Sequence, residues 1–344
     1  MTSAERPLRF NADFELVLQG LPPKPSLNAT LEFFLFWLEP APVRTHREYP
    51  ENYLRYVEAL AGQRPRIVKT GEARDWWGSL DKFELARDLN SKASFADWLR
   101  ARGRATGIVC RRWEELVAAV GEGEYLAKKS DGMSGRGHVK VRCSELEGLR
   151  SRFDFRTPVV VEPLYARVRD VSALWLPDEE RFIYYSNAID SRFQWRSTTL
   201  DSDAFDAAPE GSGDWRELLA ELQQDMHARG YAGHFSVDAF FYQRNHRTHF
   251  HPGSEVNARR TMGLIAYLFA KRSRARFFRL ALVPAVITGE AWEKLSRSPH
   301  ARLLSPERNP FVWFAVEADS HMDLEAKAEA FLRELPGARA PGKA

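Results

Sequence analysis

Four polar residues between positions 238 and 259 are of types that bind a divalent cation next to a phosphate. Glu255, Asn257 and Arg259 alternate with apolar residues. Because successive side chains of a β-strand point to opposite faces, these three are predicted to share one face. Asp238 supplies a second carboxylate from an earlier predicted strand. Two carboxylates and an amide suit Mg²⁺, which takes few protein oxygens and completes its octahedron with phosphate and water. The pattern predicts an enzyme that handles nucleotide phosphates.

A glycine-rich segment lies between two predicted strands earlier in the chain. Lys128 and Lys129 precede Gly132, Gly135 and Gly137. Glycine lets backbone N–H groups turn towards an anion without interference from a Cβ, and a lysine adds a point charge for phosphate. An ordinary hairpin turn explains the glycines equally well. The segment lacks the Gly-Lys-Ser/Thr ending of a P-loop, and the strand that follows it does not fit the dinucleotide fingerprint.

The composition is that of an ordinary soluble globular protein. The chain has 344 residues, 44% hydrophobic and 28% charged, with a formal net charge of +3. The 50 basic and 47 acidic residues are interspersed, so no concentrated basic face for nucleic acid is predicted. Only two cysteines are present, which fits a reducing compartment. No apolar run is long enough for a membrane span and no signal pattern is evident, so we expect a cytoplasmic protein with no membrane partner.

Hydrophobic periodicity predicts alternating strands and helices that would position these residues. The strongest helix runs from Asp214 to Arg229, and the aromatic run Leu31 to Leu38 is predicted as a buried strand. Further strands are predicted at 66–69, 106–110, 125–129, 137–142, 157–162, 170–176, 181–187, 280–287 and 311–318, and further helices at 51–61, from 79, at 113–120, at 263–271 and at 324–335.

The order of these motifs resembles the ATP-grasp superfamily of ligases. Lys128-Lys129-Ser130 with Gly135-Arg136-Gly137 is similar to the flexible loop of its biotin carboxylase branch. Val159-Val160-Val161-Glu162-Pro163-Leu164 looks like the interdomain hinge that holds adenine. Ser236-Val237-Asp238 and Glu255-Val256-Asn257-Ala258-Arg259 resemble the metal-binding pair, the most specific element. The resemblance covers roughly residues 80 to 275.

The resemblance implies an α/β (α+β) chain with the ATP-grasp fold, in which two α+β subdomains grip ATP. The expected segments are an N-terminal α/β domain at 1–104, a subdomain with the glycine-rich loop at 105–164, a subdomain with the metal site at 165–290, and a C-terminal strand-helix extension and tail at 291–344.

The resemblance also implies roles for individual residues. Lys128 would meet the nucleotide phosphates, and Arg259 would stabilise the transferred phosphoryl group, so these two are the predicted catalytic residues. The cofactor-binding residues would be Lys128, Lys129, Gly132, Ser134, Gly135, Gly137, Glu162 and Leu164, the last two at adenine or ribose. Asp238, Glu255 and Asn257 would hold one or two Mg²⁺ ions, with Mn²⁺ as an alternative. Strand alternation puts Lys128 and Lys129 on opposite faces, and Lys128 is favoured for phosphate.

Substrate contacts are predicted at three further positions. Arg192 and Arg196 follow a predicted strand and are expected in a loop, where they could bind a substrate anion. His251 precedes Glu255 and could line the substrate side; with His246 and His249 it also leaves a zinc site as an alternative. A surface salt-bridge ladder remains the structural alternative for the metal pair.

The predicted activity is ATP-dependent ligation of a carboxylate to an amine. ATP would phosphorylate the carboxylate to an acyl phosphate, and an amine would displace phosphate to form an amide or peptide-like bond, with ADP released. Small-molecule or peptide substrates are expected, and a homodimer is left open. Two alternatives remain: a phosphotransferase that acts on a hydroxyl, and a non-catalytic nucleotide-binding sensor or interaction module. The sequence does not identify the carboxylate or the amine.

Overall fold

The computed structural model describes residues 6–104, 107–132 and 137–336. Its strands are β1 (Leu8–Arg9), β2 (Val43–Arg44), β3 (Ile67–Val68), β4 (Arg74–Asp75), β5 (Ile108–Cys110), β6 (Tyr125–Lys129), β7 (His138–Val141), β8 (Val159–Pro163), β9 (Ala166–Leu176), β10 (Arg181–Ile189), β11 (Trp195–Asp201), β12 (Phe235–Arg244), β13 (Arg247–Asn257), β14 (Phe277–Val283), β15 (Arg302–Leu303) and β16 (Val312–Ala318). Its helices are α1 (Phe14–Leu18), α2 (Pro25–Ala29), α3 (Phe34–Leu38), α4 (Glu51–Ala61), α5 (Phe83–Leu89), α6 (Lys92–Arg100), α7 (Trp113–Ala119), α8 (Leu146–Leu149), α9 (Trp215–Ala228), α10 (Met262–Ala270), α11 (Gly289–Ser296) and α12 (His321–Glu334).

These strands form three sheets. A short parallel sheet near the N-terminus has the order β3-β2-β1-β4. A second sheet has the order β5-β8-β6-β7, and the third has the order β13-β12-β9-β10-β11-β14-β16-β15. All pairs in the second and third sheets are antiparallel. The division of the chain into four segments stays a prediction.

The second sheet carries the glycine-rich hairpin. The β-branched run Val159–Val161 forms the first three residues of β8, and β6 pairs with β8 and β7 on its two sides. Trp113 and Leu116 of α7 pack against one face of this sheet. The sheet thereby holds Lys128, near the end of β6, in a fixed position.

The largest sheet is covered on both faces. Helix α9 buries the predicted stripe Trp215, Leu218, Leu219, Leu222 and Met226 against one face. Helix α10 packs against the other face in a cluster that also contains the N-terminal sheet. The face beneath α10 carries the polar residues of the candidate site.

The run Leu31 to Leu38 is not a strand, so that prediction was wrong. Residues 34–38 form helix α3, and all of them are buried. Trp37 Nε1 donates to the Leu304 carbonyl at 3.1 Å, and Phe34 meets Trp313 edge-on with centroids 5.0 Å apart. A run that is apolar at almost every position has no period, so it does not distinguish a buried helix from a buried strand.

Among the other elements that the periodicity did not predict correctly, two bear on the site. The helix predicted from Ser79 is a pair, α5 and α6, with Ser91 capping the second through a bond from the Ser94 N–H at 3.2 Å. Strand β11 was also missed. Across the described ranges 6–104, 107–132 and 137–336, the helices are all too short or too polar to cross a membrane.

Candidate active site

A cavity of about 1060 Å³ lies where the three sheets meet. Its walls include Glu15 near the N-terminal sheet, Lys128 from the second sheet, and Asp238 and Glu255 from the third. Predicted metal-binding and phosphate-binding residues from separate sheets therefore face one space.

The predicted metal residues are brought together by strand register. Asp238 of β12 lies opposite Glu255 of β13, and Ser236 lies opposite Asn257. Asp238 accepts hydrogen bonds from Ser172 Oγ at 2.6 Å and from Asn257 Nδ2 at 3.0 Å. Burial, followed by the charge of Glu255, raises the pKa of Asp238. Two carboxylates that repel each other in a half-buried place are stabilised by a cation.

Lys92 completes this cluster and was not among the residues predicted from the sequence. It is the first residue of α6, is buried, and places Nζ 2.6 Å from Glu255 Oε2. Burial opposes ionisation of Glu255, but the Lys92 ammonium outweighs it and lowers the pKa of that carboxyl. Lys92 Nζ also donates to the Gly132 carbonyl, which ties α6 to the glycine-rich segment. Its sequence signal is the capping serine directly before it, which marks a helix start.

Arg259 lines the same cavity, but it lies beyond the end of the strand that was predicted to carry it. Strand β13 ends at Asn257, so Arg259 does not continue the alternating face. Its guanidinium instead lies 2.5 Å from Glu15 Oε1 and donates to Asn257 Oδ1 at 2.9 Å. It also lies over the Trp77 ring, 5.0 Å from the centroid. Arg259 therefore lines the cavity with Glu15 as an unpredicted partner, and its role towards the phosphoryl group stays a prediction.

The two lysines of β6 lie on opposite faces. Lys128 is buried, lines the cavity and pairs with Glu162. Burial lowers the pKa of Lys128, and the charge of Glu162 works in the opposite direction. Lys129 is half-exposed and lies 3.7 Å from Asp154, away from the cavity lining. Of the two lysines, Lys128 is the one that lines the cavity, and its contact with phosphate stays a prediction.

The predicted hinge residues Glu162 and Leu164 do not face the cavity. Glu162 is buried and pairs with Lys128, with His251 Nε2 3.7 Å from its other oxygen. The Leu164 N–H already donates to the Glu124 carbonyl at 2.8 Å. Neither Glu162 nor Leu164 belongs to the cavity lining. Contact of either residue with a nucleotide base stays a prediction and requires this region to rearrange.

His251 lies in the same closed region rather than on the cavity wall. Its ring stacks on Phe240 with centroids 4.4 Å apart and an angle of 15°. Burial lowers its pKa to about 4, so the imidazole is neutral near pH 7. His249 stacks on Tyr242 instead. In the ranges that the structure covers, no three His, Cys, Asp or Glu side chains group as a metal site would need.

The glycine-rich segment is described only in part. Gly132 lines the cavity. Gly137 has a φ of +83°, a left-handed conformation that favours glycine, and a Cβ there would come within 3.4 Å of the Lys129 side chain. Ser134 and Gly135, both predicted cofactor-binding residues, lie outside the described residues.

The two predicted substrate arginines are placed differently from each other. Arg192 lies in the exposed turn after β10, outside the cavity lining. Arg196 lines the cavity, but from strand β11 and not from a loop as predicted. Its guanidinium lies 2.5 Å from Asp190 Oδ2. The missed strand β11 is the reason that the loop prediction was wrong for Arg196.

A chain of hydrogen bonds supports Asp238 from across the sheet. Trp195 Nε1 donates to Thr198 Oγ1 at 2.9 Å, and Thr198 donates to Asn187 Oδ1 at 2.7 Å. Asn187 Nδ2 donates to Ser172 Oγ at 2.7 Å, and Ser172 donates to Asp238. None of these supporting residues was predicted from the sequence, because the chain of bonds runs across four separate strands.

The side chains present fit Mg²⁺ and a phosphate group. Asp238 and Glu255 supply hard anionic oxygens, and the excess negative charge there calls for a cation. Lys92 and Lys128 line the same cavity with ammonium groups that suit phosphate oxygens. In the arrangement observed, the Asn257 amide oxygen accepts from Arg259, so the amide would have to turn to act as a metal ligand.

Comparisons with solved structures confirm the predicted fold. The N5-carboxyaminoimidazole ribonucleotide synthetase from Thermus thermophilus is 16% identical with a TM-score of 0.53, over 98% of this chain and 99% of that chain. The N5-carboxyaminoimidazole synthetase from Staphylococcus aureus complexed with ADP is 10% identical with a TM-score of 0.52, over 85% of each chain. The biotin carboxylase domain dimer of the Hydrogenobacter thermophilus 2-oxoglutarate carboxylase, in complex with MgADP, ADP and bicarbonate, is 14% identical with a TM-score of 0.50, over 82% of this chain and 71% of that chain. No family model and no curated protein sequence matches the chain.

The chain shares its fold with these neighbours, and that fold is the predicted ATP-grasp fold. At such low identities the likeness shows the fold alone. The chemistry of the site has to be argued from its own residues.

Proposed function

We propose that the protein is an ATP-dependent ligase that activates a carboxylate as an acyl phosphate and joins it to an amine. The observation that carries the proposal is the pair Asp238 and Glu255, in register on β12 and β13 and facing the same cavity as Lys92 and Lys128. Oxygen ligands for a divalent cation and ammonium groups for phosphate meet there. The neighbours whose structures hold ADP or MgADP support the choice of nucleotide.

The reaction would consist of two displacements. A carboxylate oxygen attacks the γ-phosphorus, the bond between that phosphorus and the β,γ-bridging oxygen breaks, and ADP leaves. The amine nitrogen then attacks the acyl carbon, the bond from that carbon to the phosphate oxygen breaks, and phosphate leaves while the nitrogen loses a proton. The first step needs no general base because a carboxylate is already ionised near neutral pH.

The chain's own residues would position groups and neutralise charge. Asp238 and Glu255, with Asn257 after its amide turns, would hold Mg²⁺, which when bound neutralises charge on the transferring phosphoryl group. Lys92 and Lys128 would bind phosphate oxygens from the second-sheet side. Arg259, held by Glu15, would face the same oxygens across the cavity. In phosphoryl transfer such positioning and neutralisation supply most of the catalysis.

The proposal is tested by ADP release. Purified protein would be incubated with Mg²⁺, ATP and a panel of amino acids and short peptides, with products identified by mass spectrometry. We expect ADP release that requires a carboxylate, and a product whose mass equals the two substrates minus water. A phosphorylated hydroxyl product would instead identify a phosphotransferase. Tight nucleotide binding without turnover on any carboxylate or hydroxyl substrate would contradict an enzymatic role.

A Glu255→Gln variant provides the matched negative in that assay. The exposed Glu290, on helix α11, gives the control substitution Glu290→Gln. ADP release that survives in the Glu255 variant would contradict the proposed site. The oligomeric state can be measured in the same preparations by sedimentation, since one neighbour is described as a dimer.

A further inference from the structure

The cavity that contains Asp238 and Glu255 has a second end lined by apolar side chains. Trp195 and Trp313 stack there with ring centroids 5.5 Å apart and an interplanar angle of 26°. Six further apolar residues that line the same cavity are half-buried, and strand register places two of them, Ile189 and Leu282, beside these tryptophans; the six are Leu27, Leu31, Ile189, Met262, Leu282 and Phe311. We refer to these eight residues as the apolar chamber. Apolar walls that a folded chain leaves unfilled are typical of a ligand pocket.

Strand register places the chamber on the same sheet face as the metal pair. Asp238 lies opposite Ser172, and Asn187 lies opposite Thr198, so all four share that face. A bulge between Ala188 and Ile189 shifts the register by one residue, which turns Trp195 onto this face as well.

The same face continues over the next two strands. Leu280 lies opposite Thr198, and Leu282, two residues further on, lies opposite Trp313. Opposed residues of an antiparallel pair point the same way, so Leu282 and Trp313 face the cavity beside Trp195. A ligand bound at the metal pair can therefore extend into the chamber over one continuous surface.

The charges near the chamber compensate each other. Arg196 lies 2.5 Å from Asp190 Oδ2, and the other oxygen of Asp190 accepts from the backbone N–H groups of Arg192 and Gln194. Between the chamber and the metal pair, Arg167 lies 2.9 Å from Asp170. Because these charges are already paired, a charged ligand group in the chamber would lose its water without gaining a partner.

The separation of the two ends sets the length of the ligand. Asp238 is on β12 and Trp195 is on β11, and strands β9 and β10 lie between them. Three strand spacings amount to about 14 Å. An extended chain advances about 3.3–3.6 Å per residue, so the gap corresponds to about four residues of backbone, or to a tripeptide whose terminal bulky side chain covers the remaining distance. A free amino acid is too short to fill both ends.

We propose that the substrate is an elongated molecule of about tripeptide size, with its reacting group at the metal pair and a bulky apolar group at its other end in the apolar chamber. The inference rests on the proposed function for the position of the reacting group. Trp195 and Leu282 are then residues that determine specificity, since they touch the far end of the substrate and not the reacting atoms.

Calorimetry with defined tripeptides tests this inference directly. The probes are Phe-Gly-Gly and Gly-Gly-Phe, their counterparts with aspartate in place of phenylalanine, and free phenylalanine, each titrated with and without Mg²⁺ and a non-hydrolysable ATP analogue. We expect at least one phenylalanine tripeptide to bind tenfold or more tightly than its aspartate counterpart and than free phenylalanine. Equal binding of the phenylalanine and aspartate peptides, or no binding of either phenylalanine peptide, would overturn the inference.

Variants locate the preference in the chamber. Leu282→Trp should fill the space and weaken binding of the preferred peptide at least tenfold, whereas Val286→Trp, on an exposed residue outside the lining, should not. Ile189→Trp is the second filling variant if the first does not fold. Equal effects of the chamber and control substitutions would contradict the location. The titration with the ATP analogue distinguishes failure of this proposal from failure of the proposed function. Nucleotide binding without selectivity among the peptides would overturn only the proposal about the apolar chamber.

Discussion

Two groups of charged side chains, one buried and one half-buried, lie close together in this molecule, and they are compensated differently. Glu162 pairs with Lys128, so one negative charge meets one positive charge. In the second group the Lys92 ammonium contacts the Glu255 carboxylate, whereas Asp238 is held by the neutral donors Ser172 and Asn257. The first group is complete without a ligand, whereas the second gains an uncompensated negative charge in a half-buried place when Asp238 ionises. The difference indicates where a cation enters the site and which ion pair is already complete before a ligand binds.

The largest effect, on the free energy of unfolding, is expected from breaking the ion pair between Glu162 and Lys128. Glu162→Ala leaves Lys128 buried without its partner, and removal of one member of a buried ion pair costs about 3–5 kcal/mol of unfolding free energy. Asp238→Asn in the metal-free protein should be neutral or stabilising, because it removes a carboxylate that repels Glu255. Denaturant unfolding at pH 7 measures both. Equal destabilisation by the two substitutions would contradict the distinction between the groups.

The next largest effect, on ADP release, is expected from substitution of Glu255 in the group that contains Asp238. Glu255→Gln removes one of two anionic metal ligands and should lower Mg²⁺-dependent ADP release by about 100-fold or more. The Glu290→Gln protein should retain the activity of the unmodified chain. The loss should appear in kcat rather than in KM alone, because the metal acts on the transferring phosphoryl group. A change confined to KM would point to a role in substrate binding only.

Competition between a proton and Mg²⁺ for Asp238 provides a further test of the difference between the two groups. The raised pKa of Asp238 means that the metal-free protein holds a proton there at a pH where an exposed aspartate is ionised. Mg²⁺ must displace that proton, so its affinity should fall as the pH drops through the raised pKa, approaching about tenfold per pH unit. Titration in two buffers of different ionisation enthalpy measures the proton released. Asp238→Asn should abolish the release, and its persistence would assign the proton to another group.

The smallest effect is a change in acid stability. His251 has its pKa lowered to about 4 in the folded protein, below its unfolded value, so the neutral form is the one the fold favours. Stability is therefore lost as the pH falls from about 6.5 towards 4. His251→Phe keeps the stacking on Phe240 and should flatten that loss by about 1–3 kcal/mol. Part of the slope should remain, because His138 and His234 are shifted in the same direction.

Sequence patterns predicted those parts of the molecule in which local spacing carries the information. The alternation of Glu255 and Asn257 was enough to put both on one face, and the order of motifs was enough for the fold. The patterns did not predict Lys92, because its partner Glu255 is distant in the chain and only packing of α6 against β13 brings them together. They also failed at Leu31 to Leu38, where uniform burial removes any period.

The apolar chamber was beyond prediction for a related reason. Trp195 reaches the site face only because a bulge shifts the register of β10 and β11. Spacing along a single strand does not reveal such a shift. Trp313 comes from a strand much further along the chain, and register across several strand pairs is needed to place it beside Trp195.

The central claim is that Asp238 and Glu255 bind a divalent cation together with a nucleotide. Calorimetric titration of a non-hydrolysable ATP analogue into the protein, with Mg²⁺ and again with excess chelator, tests it most directly. We predict one-to-one binding with Mg²⁺ that weakens at least tenfold in chelator and in the Glu255→Gln protein, but not in the Glu290→Gln protein. Binding that is equally tight with and without Mg²⁺, or no binding at all, would contradict the claim.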